Sequence, residues 1–271
     1  MIALVHAAFA ACAAVGVLPP AAAGRTDPRV FLSSPDSISV RLNLPAYRLD
    51  VRAGESLVSY RVAIGSRRYP TPTGTFALLR IELNPGWVPP ASDWARDREP
   101  MPPGPRNPMG RVKIEFLPTY YLHGTPEPES VGSSASHGCV RLRNEDALEL
   151  AGRLLSWGRP DLDDSTVSGW LADAVAGRRI SLEQAVPLEI RYDLVEVSAG
   201  RVHVHPDPYR LRSDSTDALA QARLVEALAP APVPAGIAGR LLDLARSAGF
   251  TISTDSVSAG QLPPPAAPVA D

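Results

Sequence analysis

Six short stretches between residues 37 and 122 alternate apolar and polar side chains with period two, and turn-forming residues separate them. They are Ser37 to Leu42, Tyr47 to Val51, Leu57 to Ile64, Phe76 to Ile81, Arg111 to Phe116 and Tyr120 to Leu122. Successive side chains of a strand point to opposite faces, so this pattern describes half-buried strands with one face on a core. The breaks Ala53-Gly54-Glu55 and Pro70-Thr71-Pro72-Thr73-Gly74 consist of residues that favour turns. Short strands joined in this way predict a mainly β domain, an antiparallel sheet or barrel-like sandwich.

The rest of the chain departs from that period. Residues 84 to 110 hold many Pro, Gly and Trp residues and no periodicity. Exposing both Trp87 and Trp94 would be unfavourable, so the segment reads as a lid or groove wall rather than a solvated insertion. Glu145 to Leu155 has helical spacing, with Ala147, Leu148, Ala151, Leu154 and Leu155 on one face and Asn144 as N-cap. Residues 165 to 186 read as a helical excursion broken near Gly177, and Leu188 to Leu194 with Arg201 to Val204 as a hairpin around Ala199-Gly200. Two amphipathic helices are expected near 215–228 and 236–248, before a Pro-rich end (Pro263 to Pro268).

The first 23 residues are almost all apolar or small and close with Pro19-Pro20 and three alanines, which reads as an export signal although no basic residue precedes it. Phe9-Ala10-Ala11-Cys12 faintly resembles a lipoprotein cleavage box. The expected organisation is a signal at 1–23, a linker at 24–35, a main domain at 36–209 and a helical extension with a Pro-rich tail at 210–271. The protein is expected in the periplasm or cell envelope. A net charge of -2 with Lys and Arg spread along the chain gives no electrostatic argument for nucleic acid as a partner. Signal cleavage would remove Cys12 and leave Cys139 as a lone thiol with no disulfide partner, either incidental or reactive.

Ser136-His137-Gly138-Cys139-Val140-Arg141 argues for reactive. A thiol attacks a carbonyl as its thiolate and needs a base or cation beside it. Gly138 permits a tight turn in which successive N–H groups, those of Gly138 and Cys139, point at one spot and form an oxyanion hole. Arg141 shares the strand face of Cys139 and could lower the thiol pKa or hold a carboxylate. His123 and His137 compete as base. His123 ends a strand sixteen positions before the cysteine and can face it across a loop, with a carbonyl near Gly124 to fix its tautomer. That makes His123 the expected base and His137 a supporting residue.

This set of residues resembles the L,D-transpeptidase catalytic domain family. Its signature, a His followed further on by Ser/Thr-His-Gly-Cys and an Arg- or Asn-bearing segment, is met by His123-Gly124-Thr125 and by Ser136 through Asn144. Tyr69 to Phe76 resembles the family's Pro-Thr-Gly strand start. Asn84-Pro85-Gly86-Trp87 and Asn107-Pro108-Met109-Gly110 resemble its substrate-loop elements. The likeness covers roughly residues 37 to 155 and continues more loosely to Tyr209. It implies Cys139 as nucleophile and His123 as proton acceptor and donor, with His137, Gly138, Arg141, Gly124 and Ser136 in support. Trp87, Asn107, Met109 and Gly110 would belong to the substrate loop. The implied reaction is attack on the bond between the third residue and D-Ala of a peptidoglycan stem tetrapeptide, with transfer of the acyl group to an amine. The implied partners are stem peptides, bound by a monomer associated peripherally with the cell wall, with no cofactor or metal. Carbapenems are the implied inhibitors.

Other readings weigh less. A lone Cys in a β core is often inert packing. His123, His137 and Cys139 could be three zinc ligands, but the paired spacings typical of such sites are absent. His203 and His205 read as an exposed edge pair, and Ser136 and Thr125 as turn and cap residues. A non-catalytic wall-binding module and a hydrolytic carboxypeptidase or amidase remain alternatives.

Overall fold

Each alternating stretch forms a strand, and the turn residues between them fold back as the pattern predicts. The elements before the site are β1 (Ile38–Asn43), β2 (Arg48–Ala53), β3 (Ser56–Arg61), β4 (Ile64–Gly65) and β5 (Gly74–Leu83). Those around it are β6 (Val112–Leu117), β7 (Tyr120–Gly124), β8 (Ser134–Ser136), β9 (Val140–Leu142) and α1 (Asn144–Gly158). Then come α2 (Asp164–Ala172), β10 (Arg178–Arg191), β11 (Val195–Ser198), β12 (Arg201–Val204), α3 (Asp214–Leu228), α4 (Ile237–Leu244), β13 (Phe250–Ser253) and α5 (Thr254–Ser258). This computed structural model describes residues 38–246 and 248–263. The expected signal and linker, Cys12 and the prolines after Pro263 lie outside the described residues.

One sheet of eight strands, in the order β3-β2-β1-β10-β5-β6-β7-β9, dominates the fold. It is mainly β as expected, but mixed rather than antiparallel. β1 runs parallel to β10, and β7 parallel to β9. β10 arrives after two helices and inserts between β1 and β5, a crossover that alternation within a strand cannot reveal. The sheet nearly closes on itself: Ala63, just past edge strand β3, exchanges two 2.9 Å backbone hydrogen bonds with Arg141 on the opposite edge, β9. Inside, Val40, Leu42, Leu49, Leu78, Leu122, Val140 and Leu188 have no exposed surface. α1 covers them with Ala147, Leu150, Ala151, Leu154 and Leu155. Each fully buried aliphatic side chain contributes about 1.5–3 kcal/mol relative to exposure.

Residues 165–186 are not one helical excursion. α2 ends at Ala172, and β10 begins at Arg178 with buried residues at alternate positions, Ile180 and Leu182. A register shift between Ser181 and Val186 interrupts its pairing with β5 and obscures the period in sequence. The hairpin around Ala199-Gly200 pairs β11 with β12; Leu188 to Arg191 belong to central strand β10 instead. β12 is the middle strand of a three-stranded sheet, so His203 is not on an edge strand, and His205 directly follows it. His203 meets Ser198 and Thr251, and His205 meets Glu196. α3, α4 and α5 pack on that small sheet around a second core that includes Val202, Leu224, Ile237 and Leu241. The two cores share Tyr192. They are also tied by both backbone bonds between the Asn43 side chain and Asp193, at 2.9 and 3.0 Å, and by Arg48–Glu196 at 3.0 Å.

Candidate active site

The β7/β9 register sets the site. Leu122 stands opposite Val140, His123 opposite Arg141, and Gly124 opposite Leu142. Leu122, Val140 and Leu142 are fully buried in the core, so by alternation His123 and Arg141 project from the other face. Cys139, directly before β9, continues that face. His123 is nonetheless only 3% exposed. Its Nδ1–H donates to the Gly124 carbonyl at 2.6 Å. A carbonyl can only accept, so the proton sits on Nδ1 and Nε2 keeps its lone pair.

The loop from β8 to β9 carries His137, Gly138 and Cys139 and is closed by Ser136. The buried Ser136 hydroxyl donates to the Cys139 carbonyl and accepts the Gly138 N–H at 3.1 Å. This corrects the expected oxyanion pair, because the Gly138 N–H is already directed at Ser136. Gly138 has φ +109°, and a Cβ there would lie 2.7 Å from the Tyr120 ring, so only glycine fits. The Gly138 carbonyl accepts from Thr71 Oγ1 at 2.9 Å.

Burial pushes the Cys139 thiol up to about 11, outweighing the Tyr121 backbone hydrogen bond and the Arg141 charge, which both pull it down. Burial likewise holds His123 at about 4, against its bond to Gly124, with the charges of Arg141 and Lys113 adding to the depression. The resting pair at neutral pH is therefore thiol and neutral imidazole. The expected lowering of the thiol pKa by Arg141 is present in direction but loses to desolvation. The Arg141 guanidinium donates to Glu127 at 2.7 Å and to Ser130 at 3.4 Å. The thiol donates to the Thr119 carbonyl at 3.6 Å, and Thr119 has φ +70° in the turn between β6 and β7.

His137 lies in different surroundings. It is exposed, stacks on Trp94 with ring centroids 4.0 Å apart and planes 14° apart, and meets Tyr69 at 4.9 Å. Burial against these rings lowers its pKa, helped by the charges of Arg141, Arg68 and Arg98. Trp94 lies in a short 3-10 turn, Asp93–Ala95, of the aperiodic segment.

The four substrate-loop residues sit at the base of that segment. Trp87 exchanges two 2.8 Å backbone bonds with Met101. Asn107 is 1% exposed; its side chain donates to the carbonyls of Pro85, Met101 and Pro102 and accepts the N–H of the buried Met109 at 2.8 Å. Gly110 packs so closely on Gly124 that a Cβ would stand 2.5 Å from the Gly124 carbonyl carbon. These residues staple the loop's neck, and the contact to the nucleophile loop comes from Trp94. Asn144 does not cap α1, whose N-cap is Arg143. Its side chain accepts from Arg111 N–H at 2.8 Å and donates to the Thr125 carbonyl at 3.1 Å, tying the start of β6 to the end of β7. Sequence reasoning also missed Thr71, Thr119 and Tyr209, whose contacts come from backbone far away in the chain; only Thr71, framed by Pro70 and Pro72, lay in a segment it had singled out. Among the described residues, no group of three or more His, Cys, Asp or Glu side chains is placed to hold a metal ion.

A thiol and an oriented neutral imidazole on one face of a strand pair is an arrangement able to carry out acyl transfer through cysteine. The sequence profile of the YkuD family, the L,D-transpeptidase catalytic domain, matches residues 37–177 of the 271, and the chain belongs to this family. A Bacillus licheniformis protein with L,D-transpeptidase YkuD in its name is 33% identical over 119 residues, 43% of this chain and 59% of that protein. An Escherichia coli K12 protein with L,D-transpeptidase YbiS in its name is 40% identical over 93 residues, 31% of this chain and 30% of that protein. The chain thus matches between 30% and 59% of these relatives' length. Among solved structures, the catalytic domain of the E. faecium L,D-transpeptidase is 15% identical, with a TM-score of 0.38 over 58% of this chain and 98% of that one. An L,D-transpeptidase from Mycobacterium smegmatis is 17% identical, with a TM-score of 0.37 over 57% of this chain and 58% of that one.

Proposed function

We propose that this chain is an exported peptidoglycan L,D-transpeptidase that uses Cys139 as nucleophile and His123 as general base. The observation that carries the reading is the His123 Nδ1–H to Gly124 bond, which leaves Nε2 free as a base on the face that Cys139 shares. Membership of the family supports the substrate class. The thiol swings from Thr119 to His123 and attacks the carbonyl of the third stem residue as its proton passes to Nε2. The Cys139 N–H stabilises the developing oxyanion. Collapse of the tetrahedral intermediate breaks the bond to D-Ala, whose amine takes the proton from His123, and leaves a thioester. An acceptor amine then attacks the thioester, gives its proton to His123 and forms the new amide; the thiol departs with that proton. Because both groups rest neutral, deprotonation accompanies attack rather than preceding it.

Purified protein incubated with tetrapeptide muropeptides and an amine acceptor should release D-Ala and form a new amide, read by mass spectrometry. A carbapenem should leave one covalent adduct, absent in Cys139→Ala. Tripeptide with no amide product would assign the acyl group to water. No adduct and no D-Ala release would leave a wall-binding module and sink the proposal.

A further inference from the structure

We infer that Tyr209, from the segment after the matched family region, is a positioning residue for the nucleophile loop: through Thr71 its hydroxyl fixes the peptide between Gly138 and Cys139. Thr71 lies between Pro70 and Pro72, which have no N–H, so its amide is the single backbone donor of that Pro-Thr-Pro stretch. Thr71 is 2% exposed and Tyr209 5%. The Thr71 N–H donates to the Tyr209 hydroxyl oxygen at 3.1 Å. Thr71 Oγ1 accepts the Gly65 N–H at 2.9 Å and donates to the Gly138 carbonyl at 2.9 Å.

That carbonyl belongs to the same planar unit as the Cys139 N–H. In a trans peptide the two point in opposite directions. Holding the carbonyl on Thr71 therefore aims the Cys139 N–H away from Thr71, and Ser136 has already engaged the neighbouring Gly138 N–H. The chain from Tyr209 to Thr71 thus sets the direction of the oxyanion donor assigned under the proposed function, on which this inference rests. Tyr209 is itself fixed. Its N–H donates to the Tyr192 hydroxyl at 2.9 Å, its ring stacks on Tyr192 at 5.5 Å, and the Tyr192 hydroxyl donates to Asp207. Asp207 also accepts the N–H groups of Leu211 at 3.0 Å and Arg212 at 2.7 Å. A residue beyond the matched family region thereby bears on the nucleophile loop without touching Cys139.

Tyr209→Phe removes the hydroxyl and keeps the ring. Stopped-flow acylation by a carbapenem should show its first-order acylation constant lowered about tenfold, with the non-covalent binding constant and thermal midpoint close to wild type; loss of a whole oxyanion donor costs about 100- to 1,000-fold. Thr71→Val should lose more and Thr71→Ser should restore most of the rate, a rescue that general loosening would not give. If wild type is acylated and Tyr209→Phe and Thr71→Val match its rate, the inference fails alone. If wild type is not acylated at all, the proposed function fails and takes the inference with it.

Discussion

The two histidines flanking Cys139 stand in opposite environments. His123 ends a paired strand, is 3% exposed, and has one ring nitrogen committed to a carbonyl at 2.6 Å. His137 sits on the loop itself, exposed, between Trp94 and Tyr69. Desolvation lowers the pKa of both, so neither is a standing cation beside the thiol. What separates them is orientation. A hydrogen bond to a fixed carbonyl selects a tautomer, whereas ring stacking positions a plane and leaves the proton unassigned. Under the proposed function the strand side carries the proton transfer, while the loop side presents exposed, stacked rings.

His123→Ala should therefore break the comparison most severely, lowering single-turnover acylation between about a hundredfold and ten-thousandfold, the range of a positioned general base. In wild type the rate should rise with pH through about 4, as His123 loses its proton, and stay level across neutrality. The limb near pH 4 should vanish in His123→Ala. His137→Ala should keep the limb and lose less rate; the reverse result would exchange the two roles.

A second consequence lies in stability. The folded-state pKa of His123 is lowered from 6.5 to about 4, so its contribution is fully present above 6.5 and is lost as pH falls toward 4. In that window the unfolded chain binds a proton that the native protein excludes, which amounts to about 3 kcal/mol for this fully buried group. Stabilities from urea melts of wild type and His123→Gln should diverge by about that amount in total between pH 7 and 4. Parallel curves would mean that the imidazole protonates without penalty.

Trp94→Ala should have the smallest effect and should sharpen the contrast. Removing the stacked indole is expected to weaken non-covalent binding of a stem peptide a few-fold, by loss of an aromatic contact of about 0.5–1.5 kcal/mol. The acylation constant of the bound complex should change little, as saturation kinetics would show. A drop in that constant with binding intact would place Trp94 in the chemistry of the strand side.

Between Ile38 and Gly124, period two is a property of consecutive residues, and β1, β2, β5, β6 and β7 lie where the alternation falls. That Cys139 and the strand-end His123 fall on one strand face was legible for the same reason, since the short motif and the end of β7 are both local. Asn144 misled, because an Asn at a helix start usually caps it, yet here its amide joins Arg111 to Thr125. β10 was hidden by the shift after Ser181. Sequence by itself thus determined a mainly β chain with one candidate nucleophile and two candidate bases. Only the tertiary structure decided that the sheet is mixed and nearly closed, that thiol and imidazole rest neutral, and that Tyr209 reaches the nucleophile loop. Each of these depends on desolvation or on hydrogen bonds between residues far apart in the chain, and such terms exist only once the backbone has brought them together.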